Sequence, residues 1–556
     1  MGIGRLSRAV WGTVALTVGL ALGGPVSAQA AETVVLELGL FSRSVPVSAL
    51  EEFSQSNKAN RDLAPLLRRL TPAQREGFRE GLNASREVDL VPLSQWFNDP
   101  MGEQSLTFLG KVIRTQGRLN GYRGLRAAVV MSAAEDGTLS LVDVIRHFPT
   151  GTLRLDLAQL LYNAQRTLDE AALTGTVLAA VRAESQQEAT QQAIDISRLP
   201  DLTQPGPHGS RQRSLQLTDP ARNRTVPVEV VVPEDLATLP GPVPVVVISH
   251  GLGDRPSSFL DIAAHAASHG IVAVLPEHIG SNFTQQQALL NGMARENFLP
   301  QEFLDRPLDV RFVLDELSRR NADTFGGRLD LDSVVVVGHS FGGYTALALG
   351  GATIDFNRLA ERCDPSSNIL ADAALLLECR ALTLQNQPAV VEQLGQTGVA
   401  DERVALVMAF APVSNLFGPQ GMAKVQRPVM ILGGALDILA PVVPQQVSAF
   451  SWLTTPDRYL YLADNTSHSP VFTRSISQLL NFDDDLEKSL DEAMSLSRGV
   501  NKALIVAFTQ VYGANRQEFS PFLTASYTET VSADPFRFHR VRSLPDDITQ
   551  ILAPQP

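Results

Sequence analysis

Ser340 is the residue around which chemistry could be built. It lies in the run Val334-Val335-Val336-Val337-Gly338-His339-Ser340-Phe341-Gly342-Gly343-Tyr344. Four consecutive valines predict a strand buried on both faces, and the small residues from Tyr344 to Leu349 predict a helix. Gly-x-Ser-x-Gly between a strand and a helix is the context of a nucleophile elbow, a tight turn that lifts a serine hydroxyl clear of a sheet. Gly338 and Gly342 flank the serine where a side chain would crowd the neighbouring strand and helix. The pattern alone occurs by chance, and also suits a Gly-rich turn in a non-catalytic protein. The strand before it and the helix after it make Ser340 a candidate nucleophile.

A serine nucleophile needs a base for its proton and a carboxylate to orient that base. After such an elbow the chain order is Ser, then Asp or Glu, then His. Two histidines follow Ser340, namely His468 and His539. His468 sits in a loop just after the predicted strand Tyr459 to Leu462, where a base at the carboxyl end of a strand belongs. His539 lies far out in the tail. His468 is therefore the favoured base, with a surface-loop histidine as the bland alternative. Asp437 follows the apolar run Pro428 to Leu432 and the turn Gly433-Gly434-Ala435-Leu436, which again places it beyond a strand's carboxyl end. Its competitors are Asp457, which precedes its strand, and Asp464, which is close enough to His468 to be a local loop cap.

Attack by Ser340 would create an oxyanion that wants two backbone N–H donors. Phe341, directly after the serine, predicts one. Leu252, in His250-Gly251-Leu252-Gly253 after the strand Val243 to Ser249, predicts the other. His250 and His339 are expected to brace these loops. No metal site is expected: His265 and His269 are spaced i, i+4, but lack the intervening Glu of His-Glu-x-x-His and a third ligand. No phosphate-cradling Gly-rich loop follows a strand, so no nucleotide cofactor is expected.

The elements that must position these residues make up the second half of the chain. The predicted hairpin Arg213–Leu217 and Thr225–Val232 is followed by the strand Val243–Ser249. A helix Ser257–His269, a strand Ile271–Leu275 and a helix Asp305–Arg320 come next. The elbow strand and its helix, the strands Val404–Phe410, Val429–Leu432 and Arg458–Leu462, and a terminal helix Leu486–Tyr512 complete the pattern. This alternation predicts a mostly parallel, doubly wound sheet over residues 211–515, with a tail at 516–556. Residues 31–165 read as a small, mainly helical domain, with His147 as a structural histidine. In it Thr71-Pro72-Ala73-Gln74 predicts a capping box. Residues 166–210 read as helix and Pro/Gly-rich linker, with the domain boundary in 185–210.

The chain has 556 residues and a net charge of −13, with no basic cluster beyond short pairs, which argues against a nucleic-acid partner. Arg5 and Arg8, the apolar stretch Ala9–Leu22 and Ala28-Gln29-Ala30 predict a signal peptide cleaved near Ala30, and hence export. No later stretch is long and apolar enough to be expected to span a bilayer. In an exported chain the two cysteines, Cys363 and Cys379, are expected to pair, contributing about 3 kcal/mol in the chain-entropy picture.

Taken together, the Gly338-to-Gly343 elbow, His250-Gly251-Leu252-Gly253, Pro276-Glu277-His278-Ile279-Gly280-Ser281, Asp437 and His468 resemble the α/β-hydrolase superfamily. The elbow and the Pro-Glu-His stretch are most similar to the branch holding platelet-activating-factor acetylhydrolase and dienelactone-hydrolase-like enzymes. Dienelactone hydrolases use a cysteine nucleophile, whereas Ser340 here moves the expectation toward ester hydrolysis. The resemblance implies an α/β-hydrolase fold, a serine ester hydrolase and a short-acyl lipid or phospholipid ester as substrate. General carboxylesterase or acyltransferase activity is the alternative among enzymes, and a non-catalytic scaffold the alternative of another class. It also implies that residues 351–403 are a lid stapled by the two cysteines. The helical N-terminal part resembles the leader domain of a group of exported bacterial hydrolases.

Overall fold

A computed structural model describes residues 30–364, 369, 371–469, 497–534 and 536–552. The expected signal peptide, up to Gln29, and residues 486–496 of the expected terminal helix lie outside the described residues. Two compact units emerge. One takes the described residues up to Phe97 with Leu106–Leu161; the other takes Asn98–Ser105 and the described residues from Tyr162 onward.

The N-terminal unit contains more than helices. Strands β1 (Thr33–Leu38) and β2 (Phe41–Pro46) pair antiparallel, and β3 (Ser85–Glu87) pairs with β5 (Thr138–Ser140). Between these in sequence is β4 (Ile113–Arg114), which pairs antiparallel with β6 (Thr152–Asp156), and β6 lies parallel to β1. The spacing predicts helix through 113–114 and at Ser140, and again from Leu155. Instead these short stretches give their backbones to strands: β6 takes the second edge of β1, β4 pairs with β6, and β5 pairs with β3, each meeting N–H and C=O groups that need partners. Such pairing is decided by neighbours distant in sequence. The helix Pro72–Asn83 carries both arms of the Thr71–Gln74 capping box. Pro65 sits in the first turn of the short helix Ala64–Leu67, where its missing N–H costs no helical hydrogen bond. Val34, Phe53, Leu67, Leu125, Phe148 and Leu153 share one buried cluster. His147 Nδ1 bonds the Asp143 carbonyl at 3.0 Å, a local structural contact.

The second unit is built on a nine-stranded sheet. Its strands are β7 (Ser210–Asp219), β8 (Arg224–Pro233), β9 (Val243–Ser249), β10 (Val272–Pro276), β11 (Leu329–His339), β12 (Val404–Phe410), β13 (Val429–Gly434), β14 (Arg458–Ala463) and β15 (Phe538–Val541). The order is β15-β14-β13-β12-β11-β9-β10-β8-β7. From β10 to β14 all neighbours are parallel; the β7–β8 hairpin and β15 close the two edges antiparallel. Residues expected as a tail thus supply the last strand, β15, whose short, charged sequence carries no strand signal of its own. Val335 and Val337 of β11 join one buried cluster with Ala263 and Ala266 of the helix Leu260–Ser268 and with Ala503 and Phe508 of the helix over 497–508. Alternation turns Val334 and Val336 to the opposite face, and they too are fully buried, which is why four valines run together.

A helix expected in two pieces is continuous over Leu157–Gln191, since no Pro or Gly-rich break separates them. From Tyr162 onward it belongs with the sheet. Arg182 pairs with Asp464, Ser185 Oγ donates to Glu529, and Arg540 pairs with Glu188. After it, the linker is held by the histidine pair: His265 Nε2 donates to the Leu202 carbonyl at 2.9 Å and His269 Nε2 to that of Gln204 at 3.0 Å.

Burial pulls His265 down to about 4 from its ordinary 6.5. The unfolded chain therefore takes up a proton that the folded chain refuses. The ring's contribution to stability is full above pH 6.5 and is lost as pH falls through about 4. Thermal melts of wild type and His265→Gln should show their difference in Tm moving against the wild type across that window. A difference independent of pH would contradict the buried neutral ring.

Candidate active site

β11 ends at His339, and Ser340 follows with φ 57° and ψ −117°. A positive φ at a residue with a Cβ costs on the order of 1–3 kcal/mol and persists only when its surroundings hold it. They do so here. Ser340 N–H donates to the Phe410 carbonyl at 2.9 Å, and the N–H groups of Gly343 and Tyr344 donate back to the Ser340 carbonyl at 2.9 and 3.2 Å. A Cβ on Gly338 would run into the Gly342 carbonyl, and one on Gly342 into that of Ser249, so strand and helix can approach only through these two glycines. The helix Phe341–Leu349 starts at once. Its Phe341 N–H is therefore among the first-turn donors that have no acceptor within the helix.

Asp437 sits just past β13, its N–H closing a turn onto the Gly434 carbonyl. The two oxygens of its carboxylate have separate partners. Oδ1 accepts from the N–H groups of Leu439 and Ala440 at 2.9 and 2.8 Å, and Oδ2 faces His468 Nδ1 at 2.7 Å. Since a carboxylate accepts, Nδ1 carries the proton and Nε2 is left with a lone pair. His468 is tied to the elbow through His339, whose Nε2 donates to the His468 carbonyl at 2.9 Å; the two rings lie 5.0 Å apart. Burial first, and then the neighbouring His468, push His339 down to about 4, so it is neutral and acts as a brace.

The competing acids are engaged elsewhere. Asp457 pairs with Arg542, and Asp464 pairs with Arg182 and with His539 Nε2 at 3.0 Å. His539 itself is buried between Asp464 and Glu529 on the outermost strand.

The His250–Gly253 loop runs beside the serine: a Cβ on Gly251 would lie 3.4 Å from Ser340 Cβ. His250 Nδ1 donates to the Gly251 carbonyl at 2.8 Å, and its Nε2 accepts the His278 N–H at 3.1 Å. Both rings are held well below the ordinary histidine range, mainly by burial and then by the Arg306 charge. His278 bridges Ser249 Oγ at 2.9 Å and Asp309 at 3.1 Å. Asp309 in turn receives Arg222 and Arg224.

Sequence reading missed this buried polar layer of Ser249, His278, Arg306 and Asp309 behind the His250–Gly253 loop. A signal for it exists. Phe303, Arg306, Val310, Val313 and Leu317 share the buried stripe of the helix Glu302–Phe325, and a cation on an apolar stripe demands partners.

Among the described residues no group of His, Cys, Asp or Glu could hold a metal ion, and no helix is long and apolar enough to cross a membrane.

Two protein-family models match the chain. Residues 30–156 match one described as an alpha/beta hydrolase of unknown function (DUF1400), and residues 245–500 match one described as the alpha/beta hydrolase family. The chain carries alpha/beta-hydrolase domains. The second match runs from β9 past His468, so it takes in the elbow, the Asp437 turn and the His468 loop of the hydrolase domain. No curated protein matches the sequence.

Proposed function

We propose that this hydrolase is an exported serine ester hydrolase working through Ser340, His468 and Asp437. The observation that carries the reading is the pairing of a serine held at positive φ with a His468–Asp437 couple tied to the residue beside it. His468 Nε2 takes the Ser340 proton as Oγ attacks the ester carbonyl, then returns it to the leaving alcohol. Asp437 holds the tautomer and stabilises the imidazolium. The N–H groups of Leu252 and Phe341 stabilise the oxyanion, and water releases the acid from the acyl-enzyme.

A short-acyl lipid or phospholipid ester is the substrate we favour. The resemblance supports it, and so do the apolar side chains exposed beside Asp437: Leu436 at 55%, Ile438 at 57% and Leu439 at 39%. Residues 351–403 would shape the acyl side. Cys363 and Cys379 are bonded there, with Cα atoms 5.6 Å apart. Arg362 spans Asp372 and Glu378 beside that bond, Glu378 accepts the Leu416 N–H at 3.1 Å, and Gln445 donates to Asp372. Such anchoring favours a fixed wall over a swinging cover. A disulfide also suits the oxidising compartment that export implies.

The test is labelling of the mature protein with a fluorophosphonate, beside Ser340→Ala, followed by p-nitrophenyl esters of increasing acyl length. Labelling lost in the variant, with rates that fall as the acyl chain grows, is the expected result. A folded wild type that resists the probe would sink the triad; a flat chain-length profile would remove only the short-acyl preference.

A further inference from the structure

Arg306 is a fully buried arginine that the triad chemistry does not use. Its Nη1 donates to the His250 carbonyl at 2.7 Å and its Nη2 to the Gly251 carbonyl at 3.2 Å. Its Nε donates to Ser281 Oγ at 2.8 Å, and Ser281 Oγ donates to Glu302 at 2.6 Å. Its guanidinium lies over the Phe341 ring, 4.3 Å from the centroid. One rigid, planar cation therefore touches both of the segments that would supply the oxyanion donors.

Peptide geometry gives this contact a direction. The Gly251 carbonyl and the Leu252 N–H belong to one planar trans peptide, so they point opposite ways. A guanidinium that holds the carbonyl from behind turns the Leu252 N–H away from itself. The His250 carbonyl likewise fixes the Gly251 N–H. On the other wall, Arg306 stacks on Phe341, which is also packed by Phe298 and Phe303 at 5.5 and 5.0 Å, and so steadies the first turn of the helix whose first N–H is the second donor. A lysine could not reproduce this, because a point ammonium lacks the fork that reaches two successive carbonyls and the flat face that stacks.

We infer that Arg306 is the positioning residue of the oxyanion hole, aiming the Leu252 and Phe341 N–H groups by holding the His250 and Gly251 carbonyls and the Phe341 ring. The inference rests on the triad reading above. Arg306 touches no substrate, and its effect is felt only where negative charge develops on the carbonyl oxygen. Removing one oxyanion donor outright costs about 10²–10³ in rate, so donors left in place but badly aimed should cost on the order of tenfold or more.

The experiment compares wild type, Arg306→Lys, Ser281→Ala and Ser340→Ala in the full mature chain, with p-nitrophenyl acetate as substrate and a trifluoromethyl ketone as tetrahedral oxyanion mimic. Circular dichroism checks folding at the assay temperature. In Arg306→Lys, kcat should fall by about tenfold or more while KM stays within about twofold. Affinity for the ketone should fall by the same factor as kcat/KM. A merely structural arginine would not link those two losses. Ser281→Ala removes the acceptor of Nε, together with the Ser281 donation to Glu302, while leaving both carbonyl contacts of the guanidinium in place; it should give a smaller loss of the same kind, about threefold, which decides the matter if Arg306→Lys does not fold. A folded Arg306→Lys with unchanged kcat and ketone affinity overturns the proposal, as does an unchanged Ser281→Ala when the lysine variant is unfolded. Failure of the triad reading looks different. There the wild type itself is neither active nor labelled by fluorophosphonate, and the proposal falls with it.

Discussion

Asp437→Asn should lower kcat by about 10⁴-fold while leaving the protein folded. The reason lies in how the carboxylate is shared. Oδ1 already accepts two backbone N–H groups, those of Leu439 and Ala440. An asparagine must place its carbonyl oxygen there, because an NH₂ group facing two N–H donors would leave three donors and no acceptor. The NH₂ then faces His468 Nδ1, which can answer only as an acceptor. The ring proton moves to Nε2, where the lone pair for the serine proton is needed. Backbone anchoring is kept, so Tm should change little and KM should hold. Steady-state kinetics with p-nitrophenyl acetate and a thermal melt check this together. Retained activity would mean that another carboxylate orients His468, and the engagement of Asp457 and Asp464 elsewhere speaks against that.

The second large effect is on stability. Asp309 is fully buried and receives Arg222 at 2.9 Å, Arg224 at 2.8 Å and His278 at 3.1 Å. Burial pushes its carboxyl up, against the pull of Arg224 and then Arg222. Asp309→Ala would leave two guanidiniums short of charge and one fully buried histidine short of its acceptor. Breaking a buried pair from one side costs about 3–5 kcal/mol. Asp219, Glu302 and Asp305 still hold the arginines in part, which places the loss near the lower end, about 3 kcal/mol. Asp305→Ala, a less buried neighbour in the same network, should cost under about 1 kcal/mol. Urea unfolding of the three proteins reads both values from the shift in midpoint at constant slope. Equal losses in the two variants would mean that depth of burial does not set the cost.

The elbow could be read from eleven consecutive residues because everything that makes it is local: the valine strand, the two glycines and the start of a helix. Asp437 and His468 were legible for a related reason. Parallel strands bring their carboxyl ends to one edge of a sheet, so a residue a few positions past a strand is placed by the strand itself. The hydrolase sheet was read nearly whole from its apolar runs, except for β15. Four residues, two of them charged or titratable, form a strand there because the edge of β14 offers hydrogen bonds, not because Phe538–Val541 favours the conformation. The same holds for β4 in the N-terminal unit, where a short segment of helical pattern pairs with the edge of β6.

Neighbouring residues alone mark which serine stands on a strained turn, which acid and histidine lie beyond strand ends, and that the second half alternates strand and helix. Short-range sterics and hydrophobic period decide those features, and both are written in neighbouring residues. What lies behind the His250–Gly253 loop depends on contacts between distant parts of the chain. Arg306 meets a loop 55 and 56 positions earlier, and His278 meets Asp309 across 31. A buried charge takes whatever partners the fold brings to it, and no spacing along the chain announces which those are.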